Sequence, residues 1–240
     1  MAIQIVEIIG PSDQGRSRPY RCRAEDGEIY FVKGRQTNRS SLWNEWICAH
    51  LAQAFGLAVP PFGILDVSPE LLAETPLGWR EIGEGPAFGS MLHASAAWLE
   101  PSMAANVPIA SQRDVLVFDW WVRNCDRQIG NTNLLWDAGA KKLVVIDHNL
   151  AFDPDFSAAD FIEQHIFAPQ WAQISADLVL QAEYSTRLSA ALELAAPACE
   201  NAPPEWGWMN PEMDLRANFD LENIFATLAR CASPELWRTV

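Results

Sequence analysis

The segment Asn124-Cys-Asp126-Arg-Gln-Ile-Gly-Asn131-Thr-Asn-Leu-Leu-Trp136-Asp-Ala-Gly-Ala-Lys-Lys-Leu143-Val-Val-Ile-Asp147 decides how this chain folds around its chemistry. Residues 134–136 and 143–146 are apolar and β-prone, and the six residues between them include Gly139, which permits a turn. The pattern predicts a β-hairpin. Antiparallel pairing returns the chain to its starting level, so the residue entering the first strand and the one leaving the second become neighbours. Asn131 and Asp147 are therefore expected close together.

An asparagine oxygen beside a carboxylate offers hard oxygen ligands suited to Mg²⁺, which keeps several waters and takes further ligands from phosphate. Asp126 stands five residues before Asn131, on the loop leaving the preceding helix, where it can accept or orient the proton of an attacking hydroxyl. Asp-x-x-x-x-Asn with a later Asp is the spacing of kinase catalytic loops. Taken singly, each of these side chains is more often a local turn cap. Three of them, ordered helix–loop–strand–turn–strand, favour a metal and phosphate site.

The front of the chain supplies supporting residues. Lys33 ends the predicted strand 28–33, and alternation places it on the face of Ile29 and Phe31. Glu45 lies in the predicted helix among Leu42, Cys48, Ala49 and Ala52. A carboxylate in such company costs desolvation unless it is paired, and Lys33 is the expected partner. The loop 10–19 carries Gly15 and Ser17, small residues able to bring backbone amides near a phosphate, although it matches neither GxGxxG nor a Walker A sequence.

Around these residues the pattern predicts strands at 3–9, 20–23 and 28–34, the last two joined at Asp26-Gly27. A helix capped by Ser40 or Ser41 runs to Gly56, ahead of Pro60-Pro61. Strands are expected at 62–67 and 78–82, and a helix from Ser111, with Asp114 three residues after that candidate cap. The rest, led by 171–195 and 221–232, is mainly helical. A β-rich front with one main helix and a larger helical half make an α+β arrangement in two lobes, 1–90 and 91–240, connected near residues 83–91.

Composition narrows the function classes. A chain of 240 residues can bury a substantial core. Seventeen basic against thirty-one acidic residues give a formal charge of −14, which repels nucleic acid and anionic membrane. The five cysteines are scattered without a CxxC pair, and the four histidines are isolated, so neither type signals a site. Without a signal peptide or an unbroken apolar stretch of about eighteen residues, a cytoplasmic location is expected.

Together these residues resemble the HipA-like kinase family, particularly its short members. The resemblance is carried by Gly15-Arg-Ser17-Arg-Pro19, Tyr30-Phe-Val-Lys33, Asn44-Glu45 with 51–60, Asn124-Cys-Asp126-Arg127 through Asn131-Thr-Asn133-Leu-Leu, and Ile146-Asp147-His148. It implies a protein-kinase-like fold that uses ATP and Mg²⁺ to phosphorylate serine or threonine of a protein substrate. The best-known members are toxins of toxin–antitoxin pairs, so an antitoxin protein is an implied partner. By motif match, Asp126 would be the catalytic base, Asn131 and Asp147 the metal ligands, Lys33 the phosphate-binding lysine, Glu45 its holder, and the Gly15–Ser17 loop the phosphate cover. Two positions depart from the usual protein-kinase pattern: Cys125 precedes Asp126 where a His-Arg-Asp triplet would stand, and His148-Asn149 replaces Phe-Gly after Asp147. Small-molecule phosphorylation and nucleotide binding without turnover are the competing readings, since fold does not fix substrate.

Overall fold

The computed structural model describes residues 2–12 and 17–238. The chain divides into two compact units, one of Met1–Trp46, Pro60–Ala94 and Asn201–Phe219, the other of Ile47–Val59, Ser95–Glu200 and Asp220–Val240.

The first unit is built on five strands: β1 (Ile3–Pro11), β2 (Tyr20–Ala24), β3 (Ile29–Lys33), β4 (Phe62–Val67) and β5 (Gly85–Met91). They close into a barrel in the order β1-β2-β3-β5-β4, antiparallel throughout except where β1 and β4 run parallel. Alternation turns Tyr30 and Val32 of β3 toward a core shared with Cys22, Ala24, Leu65 and Ala87, and leaves Ile29, Phe31 and Lys33 on the other face. Closure is tight at Gly89, where a Cβ would lie 2.2 Å from the Leu65 side chain. The expected turn at Asp26-Gly27 is present, with Gly27 at φ +85°.

Helix α1 (Arg39–Phe55) follows β3. Its cap is Asn38, not Ser40 or Ser41: the Asn38 side-chain oxygen accepts from the Ser41 amide at 2.7 Å, the third helical position. The front of α1 carries Trp43 and Trp46, which pack with Trp206, and Trp43 stacks on Phe219 at 4.8 Å. After β4 come α2 (Pro69–Glu74) and a 3₁₀ segment, Leu77–Ile82. The expected strand at 78–82 is thus absent. Pro76 starts a turn in which Trp79 donates to the Pro76 carbonyl, and Gly83, at φ +72°, donates to the Arg80 carbonyl. Trp79 and Ile82, three residues apart, pack against the barrel core, which is why the segment reads as apolar.

The second unit holds a small antiparallel sheet, β6 (Ala97–Trp98), β7 (Leu134–Asp137) and β8 (Lys142–Val145), and helices α3 (Ile109–Trp121), α4 (Ala158–Gln164), α5 (Trp171–Ala176), α6 (Leu178–Leu192), α7 (Ala195–Glu200) and α8 (Leu221–Ala229). Helix α3 starts two residues before Ser111, behind Pro108. Asp114 does not close a cap; it accepts from Arg187 at 2.7 Å and from the Tyr184 hydroxyl at 3.0 Å. The expected helix 171–195 breaks at Asp177, whose extended backbone ends α5 and whose carboxylate accepts from the Val179 and Leu180 amides to cap α6. Trp120 and Trp121 of α3 are buried, and each indole N–H finds a carbonyl, of Leu236 and Leu228 respectively. Among the described residues, no helix is long and apolar enough to cross a membrane.

Candidate active site

In the barrel unit, the last residue of β3 and the first half of α1 meet. Lys33 Nζ donates to Glu45 Oε1, and both side chains are more than nine-tenths buried. The apolar setting of Glu45 anticipated this: a buried carboxylate needs a cation, and β3 delivers one on the matching face. Of the two residues expected to cover phosphate, Ser17 is half-buried ahead of β2, and Gly15 lies outside the described residues.

In the helical unit, the hairpin forms with Leu134 opposite Val145 and Asp137 opposite Lys142. One further bond, from the Ile146 amide to the Asn133 carbonyl, extends the pairing to the level just before Asp147. Asp147 itself sits at φ +59°, in the left-handed region that aspartate, like asparagine, visits more readily than most residues. Ahead of the hairpin, Gln128 and Asn131 exchange backbone bonds of 3.0 Å in both directions, folding Ile129-Gly130 into a tight turn. That turn carries Asn131 back to Asp126: its side-chain Nδ2 donates to Asp126 Oδ2 at 2.8 Å. Asn133 Nδ2 donates to the same oxygen, also at 2.8 Å. Burial raises the Asp126 carboxyl above its ordinary value and the charge of Asp147 adds to this, opposed by the two amides and Arg127. The mutual repulsion of Asp126 and Asp147 places the two carboxylates in each other's field.

A magnesium ion fits the chemistry of these residues. An ionised carboxylate only accepts, so Asn131 must turn its amide nitrogen to Asp126, which leaves its oxygen as the end available to a cation. Asp147 offers the same kind of hard oxygen, the donor type that magnesium takes alongside phosphate and water. Among the described residues, no group of three or more His, Cys, Asp or Glu side chains could hold a metal.

The loop is held from beneath by a buried ionic cluster. Arg127 is fully buried; its Nε donates to Asp119 Oδ2 at 2.6 Å and its Nη2 to Asp119 Oδ1 at 3.3 Å. Its Nη1 donates to the carbonyls of Asn133 and Ile146, the latter at 3.1 Å. One guanidinium thus fastens both strands of the hairpin to α3. Asn124 donates to Asp119 Oδ1 at 3.1 Å, and its own side-chain oxygen accepts from the Asp126 amide at 3.2 Å. His165 Nδ1 accepts from the Phe167 amide, so its proton resides on Nε2, 3.0 Å from Asp119 Oδ2. Burial lowers the His165 pKa and keeps the ring neutral. Burial alone would raise the Asp119 carboxyl, but Arg127 and the His165 hydrogen bond outweigh it and hold Asp119 at about 2.

Sequence reasoning missed five members of this assembly. Asp119 had a signal, a carboxylate inside the apolar helix Val115-Leu-Val-Phe-Asp119-Trp-Trp. His165 looked isolated because its partner lies 46 residues away. Asn124, Arg127 and Asn133 read in the sequence as ordinary loop residues, since nothing local marks the bonds they make.

The match to a family model decides what this constellation belongs to: HipA-like kinase, over residues 5–240. The chain belongs to the HipA-like kinase family. No curated protein matches this HipA-like chain by sequence. Among solved structures, the proinflammatory kinase CtkA of Helicobacter pylori superposes with a TM-score of 0.52 at 13% identity, covering 97% of this chain and 94% of CtkA. A Golgi casein kinase gives a TM-score of 0.50 at 11% identity, covering 98% of this chain and 72% of the other. At such identities the likeness is one of fold, and the fold is protein-kinase-like.

Proposed function

We propose that this HipA-like kinase transfers the γ-phosphate of ATP, with Mg²⁺, to a serine or threonine hydroxyl of a protein. The observation that carries the reading is the joint hold of Asn131 and Asn133 on Asp126, on a loop whose hairpin ends at Asp147. Bound magnesium would be held by Asn131 and Asp147 and would neutralise phosphate charge. Lys33, fixed by Glu45, contributes its ammonium to the phosphates. Ser17 would help to cover them.

The acceptor hydroxyl oxygen forms its bond to the γ-phosphorus as the bond from that phosphorus to the oxygen of ADP breaks. The hydroxyl proton passes to Asp126. Such a transfer asks the protein for positioning and charge neutralisation more than covalent chemistry. A raised Asp126 carboxyl suits a group that must take up a proton.

A protein substrate, and an antitoxin partner of the kind the family's best-known members have, are parts of this proposal. Incubation with γ-labelled ATP, protein extract and a panel of aminoglycosides and sugars tests it. Label is expected in protein, lost in Asp147→Ala. Label confined to small molecules would overturn the protein-substrate reading, and equal labelling by the variant would overturn the site.

A further inference from the structure

We infer that Asn133 is a positioning residue that fixes the Asp126 carboxylate with its Oδ1 toward the acceptor hydroxyl. This rests on the kinase reading of the site. Both amide donors, from Asn131 and Asn133, converge on Oδ2 at 2.8 Å. Two donors occupy the two lone pairs of one carboxylate oxygen, and among the described residues Oδ1 accepts no hydrogen bond. The carboxylate therefore cannot rotate without losing both bonds, and Oδ1 is the oxygen left for the proton.

The two asparagines differ in what else they do. Asn131 is assigned to the metal as well, whereas Asn133 is 1% exposed and turns its amide to Asp126 alone. Its backbone is held on both sides: the carbonyl accepts from Arg127 Nη1 and from the Ile146 amide at 3.2 Å. Its φ of +49° lies in the left-handed region, which asparagine tolerates better than most residues. The hairpin that places Asp147 and the amide that orients Asp126 are thus parts of one residue's fixed geometry.

A purely structural role is the alternative, and Asn133→Gly separates the two. Glycine accepts the left-handed backbone and keeps the carbonyl that Arg127 and Ile146 use, while the side chain that carries the amide is lost. The inference predicts a kcat for phosphoryl transfer lowered roughly 10- to 100-fold, with KM for ATP, the Mg²⁺ concentration for half-maximal rate and Tm all within twofold or two degrees of wild type. Asn131→Ala is the contrast, and should raise the Mg²⁺ requirement. A wild-type kcat in Asn133→Gly overturns the inference, as does a loss matched by a raised Mg²⁺ requirement or a lowered Tm. If wild type itself transfers no phosphate to any acceptor, the kinase reading falls and takes the inference with it.

Discussion

Lys33 Nζ and Glu45 Oε1, twelve residues apart in the chain, form a buried ion pair between β3 and α1. Removing one member of a buried pair costs on the order of 3 kcal/mol, because the opposite charge stays in a poorly solvated place. Glu45→Leu should therefore lower the urea midpoint, and Lys33→Met/Glu45→Leu should recover most of the loss. Turnover of ATP should not recover in the double variant, because the ammonium is gone. Restored turnover would separate the pair from catalysis.

Arg127 serves four acceptors: both oxygens of Asp119 and the carbonyls of Asn133 and Ile146. A lysine is a point charge without the planar fork, so Arg127→Lys keeps the charge and loses the geometry. The expected cost is about 2–4 kcal/mol of unfolding free energy, by analogy with breaking other buried pairs. Phosphoryl transfer should fall with it, since both strands of the hairpin lose their anchor. Chemical unfolding of the two proteins decides this.

Acid should weaken the protein through the same cluster. Asp119 is held at about 2 in the fold against an unfolded value of 3.8, so between those values the unfolded chain binds more protons. Its stabilisation, on the order of 2 kcal/mol, is complete above about pH 5 and lost progressively as pH falls through about 2. His165 acts with the same sign at higher pH: its folded pKa lies below 6.5, so stability declines as pH falls from 6.5. Asp126, raised in the fold, opposes this above 3.8. Unfolding free energies measured from pH 7 to 2 should fall, and His165→Gln should flatten the part below 6.5.

What was legible in the sequence follows from how local each signal is. The 134–146 hairpin was visible because both strands and their turn lie within one short segment. The Lys33–Glu45 pair was visible because two periodicities, alternate residues on β3 and the helical repeat on α1, each put an out-of-place charge on an apolar face. The closure of the barrel by the parallel pairing of β1 with β4 was not, since it joins residues some sixty apart with no turn to mark it. The 3₁₀ segment Leu77–Ile82 misled because Trp79 and Ile82 are apolar for packing reasons that a strand would share. Asn133 was hidden by ordinariness: a lone asparagine beside a turn reads as turn chemistry until Asp126 is seen to accept from it.

Gly89 tests the barrel itself. A Cβ there would meet the Leu65 side chain at 2.2 Å, so Gly89→Ala must displace β4 from β5 or force Leu65 off its rotamer. Overpacking of this kind costs about 1–3 kcal/mol. A lowered Tm is expected, whereas Ala at Gly139, which has 3.4 Å to its nearest neighbour and an ordinary φ, should leave Tm unchanged.

The central claim is that Asp126 serves phosphoryl transfer to protein hydroxyls, and phosphoproteome mass spectrometry tests it most directly. Wild type and Asp126→Ala are expressed at equal levels, and phosphorylated serines and threonines are compared. The account predicts a set of sites present with wild type and absent with the variant. Identical phosphorylation from both proteins would contradict it.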